Sequence, residues 1–491
     1  MILCVGSTAF AQQQTVRMTT AKLTGEPIAF VVNRSAEGLK VDWGNGTAID
    51  APQDSEGGAL LKIEGKVMGP ELRLISDNRL TFVDCEACGL TALHLGDARQ
   101  LQALYCAHNV LTTLDLKDMH RLSDLDCSHN KINKLVLSAT DGQRAGDDLP
   151  VIERLDLSHN KLMNRFDWHL PSLRGLNLSG NYYAQVGFDA PALEWFNFAH
   201  NLVRGAVDLS VLKNLQALVA HHNRMETLTL HEGGKRIEQL YCDSNRLGTL
   251  DVAQAAELAD LSCTANGMEQ LHLPAKTTLV SLNVGDNRLG FAALPDKRSV
   301  PARLRFLPQQ PFGFEEVDGV MFKNGIPYAP LSESWSNRHY VNLAPLGTLT
   351  GNRYDALCTW YSVAPDGSTV EMTQRKAASD TGDFYTNHGK MAFFTPQSKA
   401  YVRLVSRTYG FAIESVPLAI GDDVTAVEGL TAEHSGVKVD AGQGALLLTG
   451  NGVVAIFTPA GKCVWKGRVA GQVRVGLPRG IYVVNKEKVV L

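Results

Sequence analysis

Hydrophobic residues between Leu80 and Leu289 recur at fixed distances from an asparagine that returns about every 21 residues. Leucine or isoleucine stands eight positions before it, Leu, Val or Phe five before, and mostly Leu or Cys three before. The resulting pattern, L-x-x-L-x-[LC]-x-x-N, predicts a repeat protein. The asparagines are Asn109, Asn130, Asn160, Asn181, Asn201, Asn223, Asn245, Asn266 and Asn287, and Cys88 stands one step before the first.

Each L-x-L segment alternates as a short strand with one buried face does. The asparagine amide has the donors and the acceptor to satisfy backbone groups where the chain turns away from the strand. No single repeat can bury its own apolar face, so we expect the strands to stack in parallel around a common core. About a dozen residues remain for the return path, which favours extended or 3₁₀ segments over full α-helices.

Turns such as LQALYCAHNVLTTLDL and IERLDLSHNKL resemble the short leucine-rich repeats of internalin-like bacterial surface proteins, including internalin J-like ones. The resemblance covers residues 80–290 and implies a leucine-rich-repeat solenoid: a parallel β-sheet with short 3₁₀ or extended convex segments, flanked by β domains. Two later leucine positions are occupied by Arg165 and Ala206, which departs from the pattern. The longest step, from Asn130 to Asn160, adds a polar loop that should bulge out of one turn, Ser138 to Pro150.

The chain before the repeats predicts two segments. Residues 1–11 form an apolar run that ends in a small-x-small site, as a secretory signal peptide does, and Leu3 before Cys4 disfavours a lipoprotein. Residues 12–79 contain alternating runs between glycine-rich turns, which predicts a β domain that caps the open end of the solenoid. The turn from Asp42 to Thr47 lacks the oxygen side chains of a calcium loop, so a hairpin turn is favoured.

The chain after the repeats predicts two more β domains. Residues 291–422 carry short alternating runs separated by Gly, Pro, Asn and Asp, which resembles an Ig-like β-sandwich with Trp360 in its core. Residues 423–491 resemble the C-terminal sorting domain of cargo for the type IX secretion system of Gram-negative bacteria. The elements that carry this resemblance are Val453 to Phe457, Gly461, Leu477 to Val484 and Lys488 to Leu491.

The sorting resemblance implies a partner and a destination. The partner is the type IX secretion machinery, and the destination is the outer-membrane cell surface of a Gram-negative bacterium. The domain is usually removed as such a protein is anchored. Another small sandwich remains the alternative interpretation of this segment.

Composition and motifs exclude several function classes. A net charge of −4 and a pI near 6.4 argue against nucleic-acid binding. No stretch after the signal peptide approaches the length of a transmembrane helix. The sequence has no G-x-S-x-G, phosphate-loop or H-E-x-x-H motif, so we expect no enzyme and no cofactor. The alternative is a secreted glycan or peptide hydrolase whose active site lies unrecognised in the sandwich region.

Cysteine and histidine suggest metal chemistry at two places. Cys85-x-x-Cys88 imitates half a zinc site, but its members belong to different repeat positions, so we expect buried free thiols and no metal. Histidines precede the asparagine in five turns and should line up along one solvent-facing edge, either as polar surface residues or as a metal or pH sensor. They are His108, His129, His159, His200 and His222.

Outward strand positions provide the candidate binding site, on the predicted concave face. Phe196, Phe198 and Tyr183 fall on inward positions and should fill the core, whereas Trp195 faces outward and Tyr182 directly follows an asparagine. Exposed aromatics on a rigid polar surface are the residues that carry binding hot spots. The predicted ligand-binding residues are Trp195, Tyr105, Tyr241, Tyr182, Asp124, Asp126, Asp156, Arg154 and Arg174.

The resulting hypothesis is a cell-surface adhesin that binds a protein or glycan partner on host or bacterial cells, in host attachment or biofilm formation.

Overall fold

The structure is a computed structural model, and it describes most of the chain. The predicted signal peptide, most of the loop from Ser138 to Pro150, and Gly461 lie outside the described residues. The described ranges are 13–51, 58–77, 79–137, 149–166, 168–275, 278–295, 301–314, 317–323, 326–349, 353–421, 438–442, 445–457, 463–476, 481–484 and 487–490. The chain divides into two compact units, the first holding the N-terminal strands and most of the repeats, the second most of the chain from Gly285 onward.

The N-terminal domain consists of antiparallel strands that alternate buried and exposed residues, as the sequence predicts. They are β1 (Gln14–Thr20), β2 (Pro27–Asn33), β3 (Lys40–Asp42), β4 (Ile49–Asp50), β5 (Leu60–Lys66) and β6 (Glu71–Ser76). The first repeat follows as β7 (Phe82–Asp84) and β8 (Leu90–His94). β2 pairs with β7 and β1 pairs with β8, both antiparallel, so this domain continues both sides of the first repeat.

The turn after β3 is held by protein groups. Gly44 and Gly46 donate backbone N–H bonds of 2.9 and 3.1 Å to Oδ1 of Asp42, and the Arg73 guanidinium binds Oδ2. The favoured hairpin turn is therefore the one that forms.

Two kinds of short strand alternate along the repeats. One kind stacks in parallel and in register to form what we call the main sheet, and the other lies on the return path as the outer strands. In chain order, main-sheet and outer strands alternating, they are β9 (Ala103–Tyr105), β10 (Thr113–Asp115), β11 (Asp124–Asp126), β12 (Lys134–Val136), β13 (Arg154–Asp156), β14 (Met163–Phe166), β15 (Gly175–Asn177), β16 (Tyr182–Val186), β17 (Trp195–Asn197), β18 (Arg204–Leu209), β19 (Ala217–Val219), β20 (Arg224–Leu230), β21 (Gln239–Tyr241), β22 (Thr249–Asp251), β23 (Asp260–Ser262), β24 (Gln270–His272) and β25 (Ser281–Asn283), with the main-sheet strand β26 (Arg303–Arg305) last.

The return path is extended, as predicted. β10 pairs with β12, β14 with β16 and β18 with β20, all parallel. Within the described repeats, the helical elements on this path are two 3₁₀ turns, at His231–Gly233 and Phe291–Ala293.

The asparagines form a buried hydrogen-bonded column at the end of the main-sheet strands. Asn160 is typical: its Nδ2 donates to the carbonyls of Leu157 and Ser158 in its own turn and of Cys127 in the preceding turn, at 3.0 to 3.1 Å. Its Oδ1 accepts the backbone N–H of Ile132 at 2.9 Å. Each asparagine thus joins two neighbouring turns.

The repeat array extends one turn past the predicted end at residue 290. β26 pairs in register with β25, Leu282 opposite Leu304. Gln309 occupies the asparagine position of this turn, donates to the Phe306 carbonyl and accepts the Leu289 N–H at 2.9 Å. The glutamine amide hydrogen-bonds to the backbone as the asparagines do. Because the residue is not an asparagine, the asparagine spacing alone could not predict this turn.

The core is aromatic at its centre and lined by thiols elsewhere. Phe196 and Phe198 are fully buried and Tyr183 is 4% exposed, as predicted. Phe188 and Phe166 add edge-on contacts, with ring centroids 5.1 Å apart for Phe188 and Phe196 and 5.4 Å for Phe166 and Phe188. Inward thiols replace leucine in turns on both sides, at Cys85, Cys106, Cys127, Cys242 and Cys263.

The described residues of the second unit up to Gly421 are almost entirely β structure, mainly in two sheets. The larger sheet includes β32 (Ala356–Val363), β36 (Gln397–Ser406) and β38 (Leu418–Ile420), whereas the smaller one consists of β29 (Val341–Asn342), β34 (Phe384–Asn387) and β35 (Lys390–Phe393). Trp360 of β32 is fully buried and packs edge-on against Phe393 of β35 at 4.8 Å, so it is a core residue, as predicted. After a 3₁₀ turn at Phe291–Ala293 come β27 (Met321–Lys323), β28 (Ile326–Ala329), β29 (Val341–Asn342), α1 (Ala344–Gly347), β30 (Thr348–Leu349), β31 (Arg353–Tyr354), β32 (Ala356–Val363), β33 (Thr369–Glu371), β34 (Phe384–Asn387), β35 (Lys390–Phe393), β36 (Gln397–Ser406), β37 (Ala412–Glu414) and β38 (Leu418–Ile420).

The C-terminal strands form an antiparallel sheet around a long hairpin of β40 and β41. The strands are β39 (Lys438–Gly442), β40 (Ala445–Phe457), β41 (Cys463–Gly476), β42 (Ile481–Val484) and β43 (Glu487–Val490). β42 pairs with both β40 and β43, which joins the strands named in the sorting resemblance. Among the described residues, no helix has the length and apolar character needed to cross a membrane.

Candidate functional site

The outward face of the main sheet is built from two rows of side chains. Each three-residue strand of the main sheet from β7 to β25 buries its middle residue and presents its first and third residues outward, as in β17, where Phe196 is buried between Trp195 and Asn197. Because neighbouring strands pair in register, the first residues of successive strands form one row and the third residues another. Side chains in a row are therefore neighbours although about 21 residues separate them in sequence.

Trp195 is the large exposed side chain at the centre of the first row. It lies between Gly175 of β15 and Ala217 of β19, its paired neighbours, and is 38% exposed. A Cβ on Gly175 would meet the indole at 3.9 Å, so the ring lies beside this glycine. Small residues on both sides leave the indole accessible from the solvent.

Charged pairs lie next to Trp195 on the preceding turns. Arg154 is paired with Asp124 on the adjacent strand, and Arg174 with Glu194 at 2.6 Å. Both arginine side chains remain largely exposed. Exposed pairs of this kind contribute little stability and remain available to a partner.

The aspartates of the second row also have a structural task. Asp84, Asp126 and Asp156 each accept, through Oδ1, the backbone N–H two residues later, at 2.8 to 3.0 Å. Asp156 additionally accepts Nδ2 of Asn177 through Oδ2 at 2.8 Å. Each carboxylate thus stabilises the turn at the end of its strand. Together the carboxylates also make one end of the outward face acidic.

The two predicted tyrosines of the second row stand near opposite ends of this face. Tyr105 packs against Phe82 with ring centroids 5.5 Å apart, and Tyr241 lies opposite Ser262. Partial burial raises the pKa of both phenols, assisted by Asp124 for Tyr105 and by Asp260 for Tyr241. Both therefore stay protonated at neutral pH and can donate a hydrogen bond.

Tyr182 lies apart from the other predicted residues. It is in the outer strand β16, opposite Met163 of β14, and both side chains are about half exposed. It is not on the main sheet, so the face around Trp195 does not include it. The reason is positional: the chain leaves the main sheet at the asparagine, and Tyr182 follows Asn181 onto the return path.

The histidines before the asparagine column lie along the edge where the main-sheet strands end. His108, His129, His159, His200 and His222 all have φ between 51° and 54°, a left-handed conformation in which histidine is enriched. Gly180 takes the same position between His159 and His200, and a Cβ there would meet Nδ1 of His159 at 2.7 Å. The column is therefore split into two groups of rings.

No disulfide forms among the inward thiols or the other described cysteines. Burial raises the pKa of Cys85 and Cys106 well above its ordinary value and that of Cys88 to about 11. Such thiols are unreactive at neutral pH because they stay protonated. Cys88 holds the asparagine position of the first turn and donates to the Ala29 carbonyl of the N-terminal domain at 3.1 Å.

Parallel three-residue strands, an asparagine column and an extended return path define a leucine-rich-repeat protein. Neither a family model nor a curated protein sequence matches this chain.

The solved structures that are similar to this chain include three bacterial proteins. YopM from Yersinia enterocolitica WA-314 is 25% identical, with a TM-score of 0.29, and the match covers 40% of this chain and about half, 49%, of that one. The functional domain of InlJ from Listeria monocytogenes, which includes a cysteine ladder, is 16% identical with a TM-score of 0.24, covering 72% and 93% of the two chains. Listeria monocytogenes InlP is 12% identical with a TM-score of 0.30, covering 63% and 88%.

Proposed function

We propose that this protein is a cell-surface adhesin that binds a protein or glycan on host or bacterial cells through the outward face of its main sheet. The observation that carries the proposal is Trp195. The site comprises Trp195 with Arg154, Arg174, Asp124, Asp126, Asp156, Tyr105 and Tyr241. Tyr182 is excluded because it lies on the outer strands.

The repeat fold assigns no packing role to an exposed tryptophan at this position. The first-row neighbours Gly175 and Ala217 are small, and the buried middle positions already supply the core. A large rigid side chain exposed at the centre of a surface, surrounded by polar groups, is the kind of residue that dominates binding energy. The rigid backbone beneath it, fixed by strand pairing and by the asparagine column, limits the conformational cost of binding.

Acidic residues lie at one end of this face, so we expect the partner to bind in one orientation. Asp84, Asp124, Asp126 and Asp156 lie within four successive main-sheet strands, whereas the third positions of β15 and β17 are the neutral Asn177 and Asn197. We therefore expect the partner to place a basic or hydrogen-bond-donating region over the acidic turns and an apolar or sugar-ring surface on the indole. Its association rate should fall as salt concentration rises.

The test compares two exposed aromatic side chains, Trp195 on the main sheet and Tyr182 on the outer strands. Trp195→Ala should weaken attachment of the purified protein to target cells by about 2 kcal/mol or more, because truncating a hot-spot residue removes its buried contact. This corresponds to about thirtyfold in dissociation constant. Tyr182→Ala is the matched control and should bind as the unchanged protein does.

Attachment is measured by titrating fluorescently labelled protein onto host cells and onto bacteria, with a glycan array run in parallel. Melting temperatures of both variants should stay close to that of the unchanged protein. Full attachment by Trp195→Ala, or an equal loss for Tyr182→Ala, would refute the site.

The proposal extends to export. The antiparallel strands β40, β42 and β43 carry the sequence elements that resemble a type IX sorting domain. We propose that this segment directs the protein through the type IX machinery to the outer-membrane surface of a Gram-negative bacterium.

A further inference from the structure

We propose that His200, His221 and His222 form a binding site for a divalent transition-metal ion of the class that prefers imidazole, Zn²⁺ or Cu²⁺. The site bridges two neighbouring repeat turns at the histidine edge and is separate from the face around Trp195. Each residue offers one imidazole nitrogen, and the three nitrogens lie within 4.8 Å of one another.

The arrangement of the rings suits a three-ligand centre. His200 and His222 are stacked, with ring centroids 4.5 Å apart and 19° between their planes. His221 stands nearly perpendicular to both, at 88° and 85°, with centroids 4.9 and 5.2 Å away. Its ring edge therefore closes the site from a third direction, which a simple stack of rings cannot do.

The backbone beneath the site is fixed, whereas two of its rings are free to adjust. His200 donates its backbone N–H to the His221 carbonyl at 3.0 Å, and His222 donates to the Asp243 carbonyl at 2.9 Å. Zinc–nitrogen bonds of about 2.0–2.1 Å place two ligand nitrogens roughly 3.3 Å apart in a tetrahedron. His200 and His222 are exposed, so modest rotation of their rings brings the nitrogens to that spacing.

His221 is the residue that the repeat pattern does not explain. Its position, two before the asparagine column, holds an acidic or small residue in the other turns up to Asn287 and Leu307 in the turn of Gln309, so the histidine has no counterpart. Those residues are Glu86, Ala107, Ser128, Ser158, Ser179, Ala199, Asp243, Thr264 and Gly285.

Nδ1 of His221 is buried and has no hydrogen-bond partner among the described residues. A buried polar atom left in this state points to a ligand, because buried ring nitrogens are otherwise hydrogen-bonded.

The surroundings of His200 and His221 favour the neutral imidazole that binds metal. Burial, followed by the neighbouring histidines, lowers the pKa of His200 and His221, and the nearby Asp243 carboxylate only partly opposes this for His221. Metal binding requires neutral imidazole, and the lowered pKa of His200 and His221 favours that form. Imidazole nitrogens without carboxylate ligands favour zinc, copper or nickel over calcium or magnesium.

Three protein ligands leave a fourth coordination position open, as in zinc centres that hold water or an exogenous group. An ion here would also join two turns through side chains, in addition to the asparagine column. The chain provides an internal control in its other histidine group. His108, His129 and His159 are stacked at 4.4 and 4.3 Å without a perpendicular third ring.

The experiment titrates Zn²⁺ and Cu²⁺ into the purified full chain, without a polyhistidine tag, by isothermal calorimetry. We expect one equivalent to bind at the site, and His221→Ala to weaken that binding by at least about tenfold, since loss of even an outer-shell partner costs 10- to 100-fold. His222→Gln should give a similar loss, whereas His159→Gln, in the control group, should leave the affinity unchanged. Mg²⁺ should not compete.

Electron paramagnetic resonance of the Cu²⁺ complex gives a second readout, because the hyperfine pattern counts coordinated nitrogens. We expect three nitrogens in the unchanged chain and fewer in His221→Ala. Circular dichroism of each variant checks that the repeats remain folded. No binding by the unchanged chain, unaltered affinity in both His221→Ala and His222→Gln, or loss confined to His159→Gln would overturn the assignment.

Discussion

At the scale of single residues, the asparagine column does most to hold neighbouring turns together. One amide bridges two turns through four hydrogen bonds, as the contacts of Asn160 show. The residue before it must take a left-handed conformation, which histidine, aspartate and glycine tolerate. The histidine edge is thus a by-product of turn geometry in most turns, and His221, which stands one position earlier, is the exception.

Replacing Asn160 by Ala should lower the free energy of unfolding of the repeats by about 1–3 kcal/mol, because the N–H of Ile132 and the carbonyl of Cys127 would stay buried without their partner. The measurement is urea unfolding of the full chain, followed by a signal from the repeats. Lys161→Ala, an exposed neighbour, is the control and should change stability by less than about 0.5 kcal/mol. An unchanged unfolding midpoint for Asn160→Ala would contradict this role.

At the scale of elements, the junction between the N-terminal domain and the first repeat depends on β2. Asn33, at the end of that strand, accepts the backbone N–H groups of Thr81 and Phe82 through Oδ1, at 2.9 and 3.1 Å. Its Nδ2 donates to the Arg79 carbonyl at 2.6 Å. This side chain therefore satisfies backbone groups where β7 begins and where no earlier repeat exists to do so.

Asn33→Ala should loosen this junction while leaving the later turns intact. Amide hydrogen exchange should speed up at Thr81 and Phe82, because these N–H groups can open to solvent without breaking a hydrogen bond to Asn33. Exchange near Leu240 in β21 should not change. Ser35→Ala is the control, since Ser35 only accepts a bond from Nδ2 of Asn33 at 2.9 Å. Equal acceleration in all turns would instead indicate that the domain and the repeats unfold together.

At the scale of the whole molecule, the chain combines leucine-rich repeats with β domains. The candidate binding residues all lie in the first unit, and the segment that resembles a sorting domain lies in the second. Function and export should therefore be separable by truncation.

Deleting Val424 to Leu491 should retain the protein in the periplasm if this segment is the type IX signal. The repeats should stay folded, because their core residues lie within the array itself. Protease accessibility on intact cells, compared with a periplasmic fraction, measures the location. Surface exposure equal to that of the full chain would disprove the sorting role.

The sequence by itself determined the repeat architecture, the inward columns and the buried asparagines. Each repeat makes the same contacts with its neighbours, so a constant spacing in sequence translates directly into a constant position in space. For this reason the prediction that Phe196, Phe198, Tyr183 and the five thiols point into the core is confirmed.

The tertiary structure decided what lies beyond that periodicity. Tyr182 and Trp195 are 13 residues apart, yet they lie on different sheets because the chain changes direction at Asn181. Gln309 completes a further turn, which the pairing of β26 with β25 and the hydrogen bonds of Gln309 reveal. The cluster of His200, His221 and His222 likewise forms only because stacking of the repeat turns brings His200 beside the other two residues. Contacts between turns depend on the packing of the array, so no local sequence signal indicates them.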